Sequence, residues 1–238
     1  MCRQCQETFD FLRGFYPRGK PTEAGGMIRL IHQSFVEKAP LRFVGFWGAG
    51  LKAKPDKADQ IWLARFAEEL IFPLSRHFGL QAEMTFILAD AHALQNDSTP
   101  DGWERDSGYL EQVGRFLVQS GFKARWLSWL WAKWWKTTPS FRFPSEEWWR
   151  LNDYLRQELL RMAQNHHRKD ESVEEAAWRY VAMRSLEAPR LAEEYAGAIF
   201  HCFAGREMRP VLPSMPTLFL KSTLGEKGVH NPWFWFLE

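Results

Sequence analysis

The sequence predicts an α/β fold: a three-layer sandwich with a mostly parallel central sheet and a basic, Trp-rich helical region. An apolar run from Leu41 to Phe46 breaks into the loop WGAGLKAKPDKAD, and a second run, Met84 to Leu88, ends in ADAHALQND. Residues 58–78 between them are long enough for a crossover helix, and a strand, helix, strand unit implies a parallel pair. Further strands alternate with long helices toward the C-terminus, which favours stacked layers over a helical bundle. The 238 residues suit one domain, 1–238, with a helical elaboration at about 105–170.

Each element follows from local chemistry. The N-terminal Cys2-x-x-Cys5 reads as a loose terminus rather than a metal site, because structural zinc needs four ligands and no second ligand pair follows. A Pro/Gly-rich turn spans 18–26, and Met27 to Glu37 forms a short helix before the first strand. The crossover helix begins near Asp59; Ile61, Trp62, Phe66, Leu70 and Leu74 recur at helical spacing, and Pro73 and Gly79 help end it. A loop covers Gln95 to Gly102, and a helix runs from about Asp106 to Gln119.

The segment FKARWLSWLWAKWWK, residues 122–136, is expected as a basic, Trp-rich helix. One long helix is expected from Ser145 to about His167, with Ser145 as cap and with Glu146, Glu147 and the basic His166 to Lys169 run matching the helix dipole. Ser172 and Glu175 form a capping box for the next helix, which Pro189 kinks or ends. AIFHCF from Ala198 and the run Thr217 to Lys221 extend the sheet. The terminal NPWFWF folds back onto the body, since that surface would otherwise invite association.

Lysine plus arginine (31) nearly balances aspartate plus glutamate (29), so any basic footprint is local rather than global. Three cysteines are too few for a disulfide framework, which fits a reducing, cytoplasmic setting. No run approaches the ~20 apolar residues of a membrane span. Thirteen tryptophans imply a heavily aromatic core first, and an interaction face or base stacking second.

Ligands of parallel α/β sheets bind beyond the carboxyl ends of the strands. Lys52, Lys54, Asp56, Asp59, Asp90, His92 and Asn96 gather there. WGAG matches neither the phosphate-loop nor the dinucleotide glycine pattern, so no cofactor is expected. Adjacent His166 and His167 diverge by about 100° on a helix, which argues for dipole complementarity rather than a metal, and no metal site is expected. Lys123, Arg125, Lys133 and Lys136 are interleaved with five tryptophans; such a segment can neutralise phosphates and stack bases, or form a solvated cationic edge on an aromatic core.

These residues resemble the cyclodipeptide synthases, particularly the arginine-containing kind, whose Rossmann-like core is similar to that of class I aminoacyl-tRNA synthetases. The resemblance covers residues 41–97, the basic segment after them, and Tyr180 to His201. Bacterial members carry a Gly-x-Ser loop, a Tyr-x-x-x-Glu-x-Pro segment and a Tyr-His pair; the counterparts are Gly45-Phe46-Trp47, Met183 to Pro189 and Phe200-His201. Trp47 stands at the serine position, and residues 35–74 hold no Ser, Thr or Cys. A covalent aminoacyl enzyme on this loop is therefore unavailable. Met183 replaces the tyrosine, while Tyr180 lies one turn back on the same helix and Glu187-Ala188-Pro189 keeps the Glu-x-Pro spacing.

The resemblance implies joining of two amino acids from aminoacyl-tRNAs, arginyl-tRNA among them, into a cyclic dipeptide. An aminoacyl ester is already activated, so the protein need only position an amine and manage a proton. Asp90 and Glu187 are the carboxylates for that proton or for a cationic substrate group; His92 or His201 could shuttle it, and Tyr180 joins them as a catalytic candidate. Asp90 could instead cap a turn, Glu187 lie on a helix surface and His201 sit in the core. Gly45, Trp47, Lys52, Lys54, Asp59 and Asn96 are the substrate-binding candidates, and Lys123, Arg125, Lys133 and Lys136 the tRNA-binding ones. A second resemblance, to isonitrile synthases acting on a free amino acid and a sugar phosphate, rests on Ala53-Lys54-Pro55 and Ala89-Asp90. A third reading is an RNA-binding or partner-binding module built on residues 122–136.

Overall fold

The computed structural model describes residues 2–15, 21–48, 52–96, 100–136, 146–164, 167–168, 170–203 and 206–219. Five strands, β1 (Leu41–Trp47), β2 (Ala82–Leu88), β3 (Lys123–Trp126), β4 (Ala198–Cys202) and β5 (Thr217–Phe219), form one sheet in the order β3-β2-β1-β4-β5. Every strand pair is parallel. This is a Rossmann-like order, and it reverses between β1 and β4, the kind of switch point beside which ligands of such sheets generally bind.

Alternation along the strands sorts side chains to two helical layers. Phe43 and Trp47 of β1, Phe86 of β2 and Ile199 of β4 join one core with α1 (Arg3–Phe15), α2 (Ala24–Glu37), α3 (Lys57–Arg65), α4 (Phe72–Phe78) and α6 (Pro100–Gln119). Val44, Phe46, Ile87 and Phe200 point the other way and join α7 (Leu127–Trp135), α8 (Glu146–Arg150), α9 (Asp153–Ala163) and α10 (Val173–Glu194). The short α5 (Asp90–Asn96) starts two residues after β2 and touches both cores through Ala91 and Ala93.

The crossover is interrupted. Between α3 and α4, Phe66–Ile71 winds as a π-helical turn with Phe66 and Leu70 buried. Asp56 and Asp59 form a reciprocal capping box at the start of α3, and Gly79 ends α4 in the left-handed conformation.

Three expectations change and one narrows. The N-terminus is not loose: Cys5 is buried within α1, which packs on the core. Residues 122–136 are not one helix; Lys123–Trp126 is an edge strand that pairs with β2, and α7 begins only at Leu127. The expected helix to His167 breaks at Asn152, whose side chain accepts the Leu155 N–H and caps α9. Of the two outcomes expected at Pro189, a kink or an end, the end is ruled out, since α10 continues to Glu194. Proline inside a helix costs about 3 kcal/mol, and burial of Glu187 and Leu191 on either side holds the helix through it. The Ser172–Glu175 capping box forms as expected. Ser145, His166, Lys169 and the terminal NPWFWF lie outside the described residues.

Candidate active site

The carboxyl end of β2 feeds straight into α5, so Asp90 and His92 occupy its first turn. Residues two apart on a helix do not face each other. Asp90 turns toward α7, and its Oδ1 accepts the Ser128 N–H at 2.9 Å. A carboxylate from α5 thus caps a neighbouring helix whose own cap residue, Trp126, supplies no side-chain bond. Asp90 is only 4% exposed, and it also lines a groove of about 550 Å³ with Ser128, Glu104, Glu111, Trp103 and Trp129.

His92 turns toward α10. Its Nε2 lies 2.8 and 2.9 Å from the two oxygens of Glu187, which is fully buried. Glu187 also accepts from Trp131 Nε1 at 2.7 Å and from Arg184 Nη1 at 3.0 Å. Burial pushes the Glu187 carboxyl up, but the charge and hydrogen bond of His92, the Arg184 guanidinium and the Trp131 N–H outweigh it and hold it below its ordinary value. An ionised carboxylate only accepts hydrogen bonds, so His92 Nε2 carries a proton toward Glu187, and Nδ1 is the ring nitrogen turned away from it. Phe46 flanks the ring on one side, with centroids 5.3 Å apart, and Trp131 lies edge-on at 6.4 Å. The Arg184 guanidinium stacks 4.2 Å over the same Phe46 ring. Tyr180, on α10, is partly buried in this layer; burial raises its hydroxyl pKa, with Arg184 pulling the other way.

Other candidates are turned away from this cleft. Gly45 faces His201 across β1 and β4, and a Cβ at residue 45 would meet the His201 carbonyl oxygen at 2.8 Å and Cδ2 at 2.9 Å. His201 belongs to the opposite core, edge-on to Phe66 and Phe203 at 4.8 and 4.6 Å. Burial lowers its pKa to about 3. That environment is a packing site, not a proton shuttle. Trp47 is fully buried and donates from Nε1 to the Tyr109 hydroxyl at 3.0 Å.

Tyr109 in turn donates to Asp59 Oδ1 at 2.9 Å, and Lys52 Nζ donates to both Asp59 oxygens at 3.1 and 3.0 Å and reaches Asp56 at 2.9 Å. Lys52 and Asp59 are 5% and 1% exposed, so this is an internal clasp rather than the expected surface pair or substrate contact. Burial raises the Asp59 carboxyl, opposed by the Asp56 N–H, Lys52 and Tyr109. Lys54 remains exposed on the same loop. Asn96 ends α5, and its side chain lies outside the described residues.

The expected tRNA-binding residues divide. Lys123 pairs with Glu83 at 2.6 Å and Lys133 with Glu194 at 2.5 Å, whereas Arg125 has no ion pair among the described residues. Lys136 is the left-handed C-cap of α7. Trp131, Arg184 and Ser128 were not singled out from sequence as site residues; Arg184 carried a signal, one turn before Glu187 on the same helix, but nothing local marked the other two. Among the described residues, no group of three or more His, Cys, Asp or Glu could hold a metal, and no helix is long and apolar enough to cross a membrane.

No family model matches the sequence, and no curated protein matches it. Solved structures do. PvcA of Pseudomonas aeruginosa superposes with a TM-score of 0.61 over 96% of this chain and 81% of its own, at 13% identity. The tyrosyl-tRNA synthetase of Archaeoglobus fulgidus, solved with L-tyrosine, gives 0.50 over 90% of this chain and 64% of its own, at 15% identity. The Leishmania major tyrosyl-tRNA synthetase, solved with tyrosinol, gives 0.50 over 93% and 31%, at 17% identity. The chain thus spans under two thirds of either synthetase. The likeness is one of fold: a Rossmann-like, class I synthetase-like core.

Proposed function

We propose that the protein joins two amino acids delivered as aminoacyl-tRNAs into a cyclic dipeptide, with no acyl-enzyme on the loop after β1. The observation that carries this reading is the pairing of His92 with buried Glu187 at the carboxyl end of β2, beside a loop that offers no hydroxyl or thiol. Glu187 fixes the imidazole in one tautomer and orientation, which makes His92 Nδ1 the base.

The free amine of one aminoacyl ester attacks the carbonyl carbon of the other. The C–N bond forms, the ester C–O bond breaks, the departing tRNA hydroxyl receives the amine proton by way of His92, and a second such attack closes the ring. The groove beside Asp90 presents Asp90, Glu104 and Glu111 among tryptophans and, among the described residues, is lined by no basic side chain. It would seat an ammonium or guanidinium by charge and by contact with indole faces, which supports arginyl-tRNA as one donor.

Incubation with charged tRNA, with and without ribonuclease, followed by mass spectrometry of small products, tests the reading. A cyclic dipeptide whose formation ribonuclease abolishes is the expected result; ribonuclease-insensitive turnover overturns it. Ser128 supplies a hydroxyl in the acidic groove, so Ser128→Ala belongs in the same assay and is expected to retain turnover. Exposed Lys54, without an ion pair among the described residues, favours the second reading, a free amino acid condensed with a sugar phosphate. That reading requires turnover with no tRNA present.

A further inference from the structure

A second groove, of about 460 Å³, lies on the α10 side of the sheet over the amino-terminal halves of β1 and β2 and along β3 to its end. Arg125 and Trp126 lie level with Ile87 and Leu88 near the carboxyl end of β2, but His92 is not among the lining residues. Its volume falls within the range of small-molecule sites. Arg42, Lys123, Arg125 and Lys133 line it against two acids, Glu83 and Glu194, so its net charge is positive.

The two acids are each taken by a lysine, and Arg42 donates to the Ala196 carbonyl oxygen at 2.6 Å while keeping its charge. That leaves Arg125. Its guanidinium has no hydrogen bond or ion pair among the described residues, and neither does the Tyr195 hydroxyl beside it. Burial, then Glu194, push that hydroxyl up to about 12 against the pull of Arg125, so it stays protonated and able to donate. Two donors therefore line one electropositive groove, close enough for Arg125 to act on the Tyr195 hydroxyl. Trp126 and Trp129 line this groove as well as the acidic one beside Asp90, and Trp129 is 67% exposed, so its indole is open to a planar ligand. An inorganic anion would use the donors and leave the indoles idle.

We propose that this groove seats a nucleotide, its phosphate on Arg125 and the Tyr195 hydroxyl and its base against Trp129. The chemistry is shared by a free nucleotide and by one nucleotide of an RNA strand, and it calls on neither His92 nor Glu187. Binding of adenosine monophosphate and, separately, of a short oligoadenylate is measured by fluorescence anisotropy or calorimetry across a salt series, for the intact chain and for Arg125→Ala, Trp129→Ala and His92→Gln.

We expect Arg125→Ala and Trp129→Ala each to weaken binding tenfold or more. Arg125→Ala should also make the slope of log affinity against log salt shallower by about 0.7, the loss of one phosphate contact on a single strand. His92→Gln should leave both unchanged. Binding of the mononucleotide identifies a free-nucleotide site, and binding of the oligonucleotide alone a strand site; either supports the proposal. Absence of binding to both, or affinities unmoved by Arg125→Ala and Trp129→Ala, overturns it. Because neither probe carries an amino acid, that failure is separable from failure to form a cyclic dipeptide.

Discussion

His92 and Glu187 are 95 residues apart in sequence, yet the imidazole Nε2 stands within 2.9 Å of both carboxylate oxygens. The histidine side chain is 13% exposed and the glutamate is not exposed at all. One partner keeps some contact with solvent and the other supports it from the interior. His92→Gln is therefore expected to fold normally and to lower turnover by about 10²- to 10⁴-fold, the usual worth of a positioned proton-transfer group. Glu187→Gln leaves Arg184 buried beside a neutral amide and should destabilise the fold by about 3–5 kcal/mol. Denaturant unfolding alongside product assays distinguishes the two; equal stability loss in both variants would contradict the division of roles.

Acid should weaken the protein in two stages. His201 is neutral in the folded chain, with a pKa of about 3 against an ordinary 6.5. The unfolded chain binds a proton at 201 below pH 6.5 while the folded chain does not, so stability is full above pH 6.5 and declines below it, by about 2 kcal/mol at pH 5. Glu187 adds a second loss below its ordinary 4.5, because its folded pKa is depressed and protonation breaks its pairs. Thermal melts of His201→Leu should show a flatter dependence between pH 6.5 and 5, with the lower stage retained.

The clasp of Lys52 on Asp59 gives a different signature. Lys52→Met strands a buried carboxylate, with an expected cost of about 3–5 kcal/mol, and a following Asp59→Asn should recover part of it. Urea midpoints of the two single variants and the double variant measure this coupling; additive losses would show that the pair is not acting as a unit.

Asp90 separates structure from charge. Asp90→Asn keeps an acceptor for the Ser128 N–H and should cost little stability, whereas Asp90→Ala loses the cap and about 1 kcal/mol. Both remove a negative charge from the groove. Under the proposed reaction both raise the KM for a cationic aminoacyl donor, and a KM unchanged in Asp90→Asn would remove Asp90 from substrate recognition.

The fold was legible where the polypeptide obeys one period at a time. Val44 to Phe46 and Phe86 to Leu88 announce central strands because both faces are buried there. Edge strand β3 escaped notice because Lys123 and Arg125 are exposed and its apolar residues merge with those of α7. The break at Asn152 was hidden by apolar spacing that continues across it. At the site, position along a strand end brought Asp90 and His92 into view, but burial reassigned Lys52, Asp59, Trp47 and His201. A lysine among aspartates reads as solvated until the tyrosine that closes over it, 57 residues later, is seen in place. Trp131 and Ser128 reach the site only through the packing of α7 on α5 and α10, which no local pattern encodes.

The close approach of Gly45 to His201 ties together two positions far apart in the gene. The nearer of the two contacts is to backbone, so shrinking the side chain at 201 would not make room for one at 45. Glycine is required at 45 for as long as β1 and β4 keep this spacing, whatever residue the partner strand carries, and a library varying 201 should leave 45 invariant.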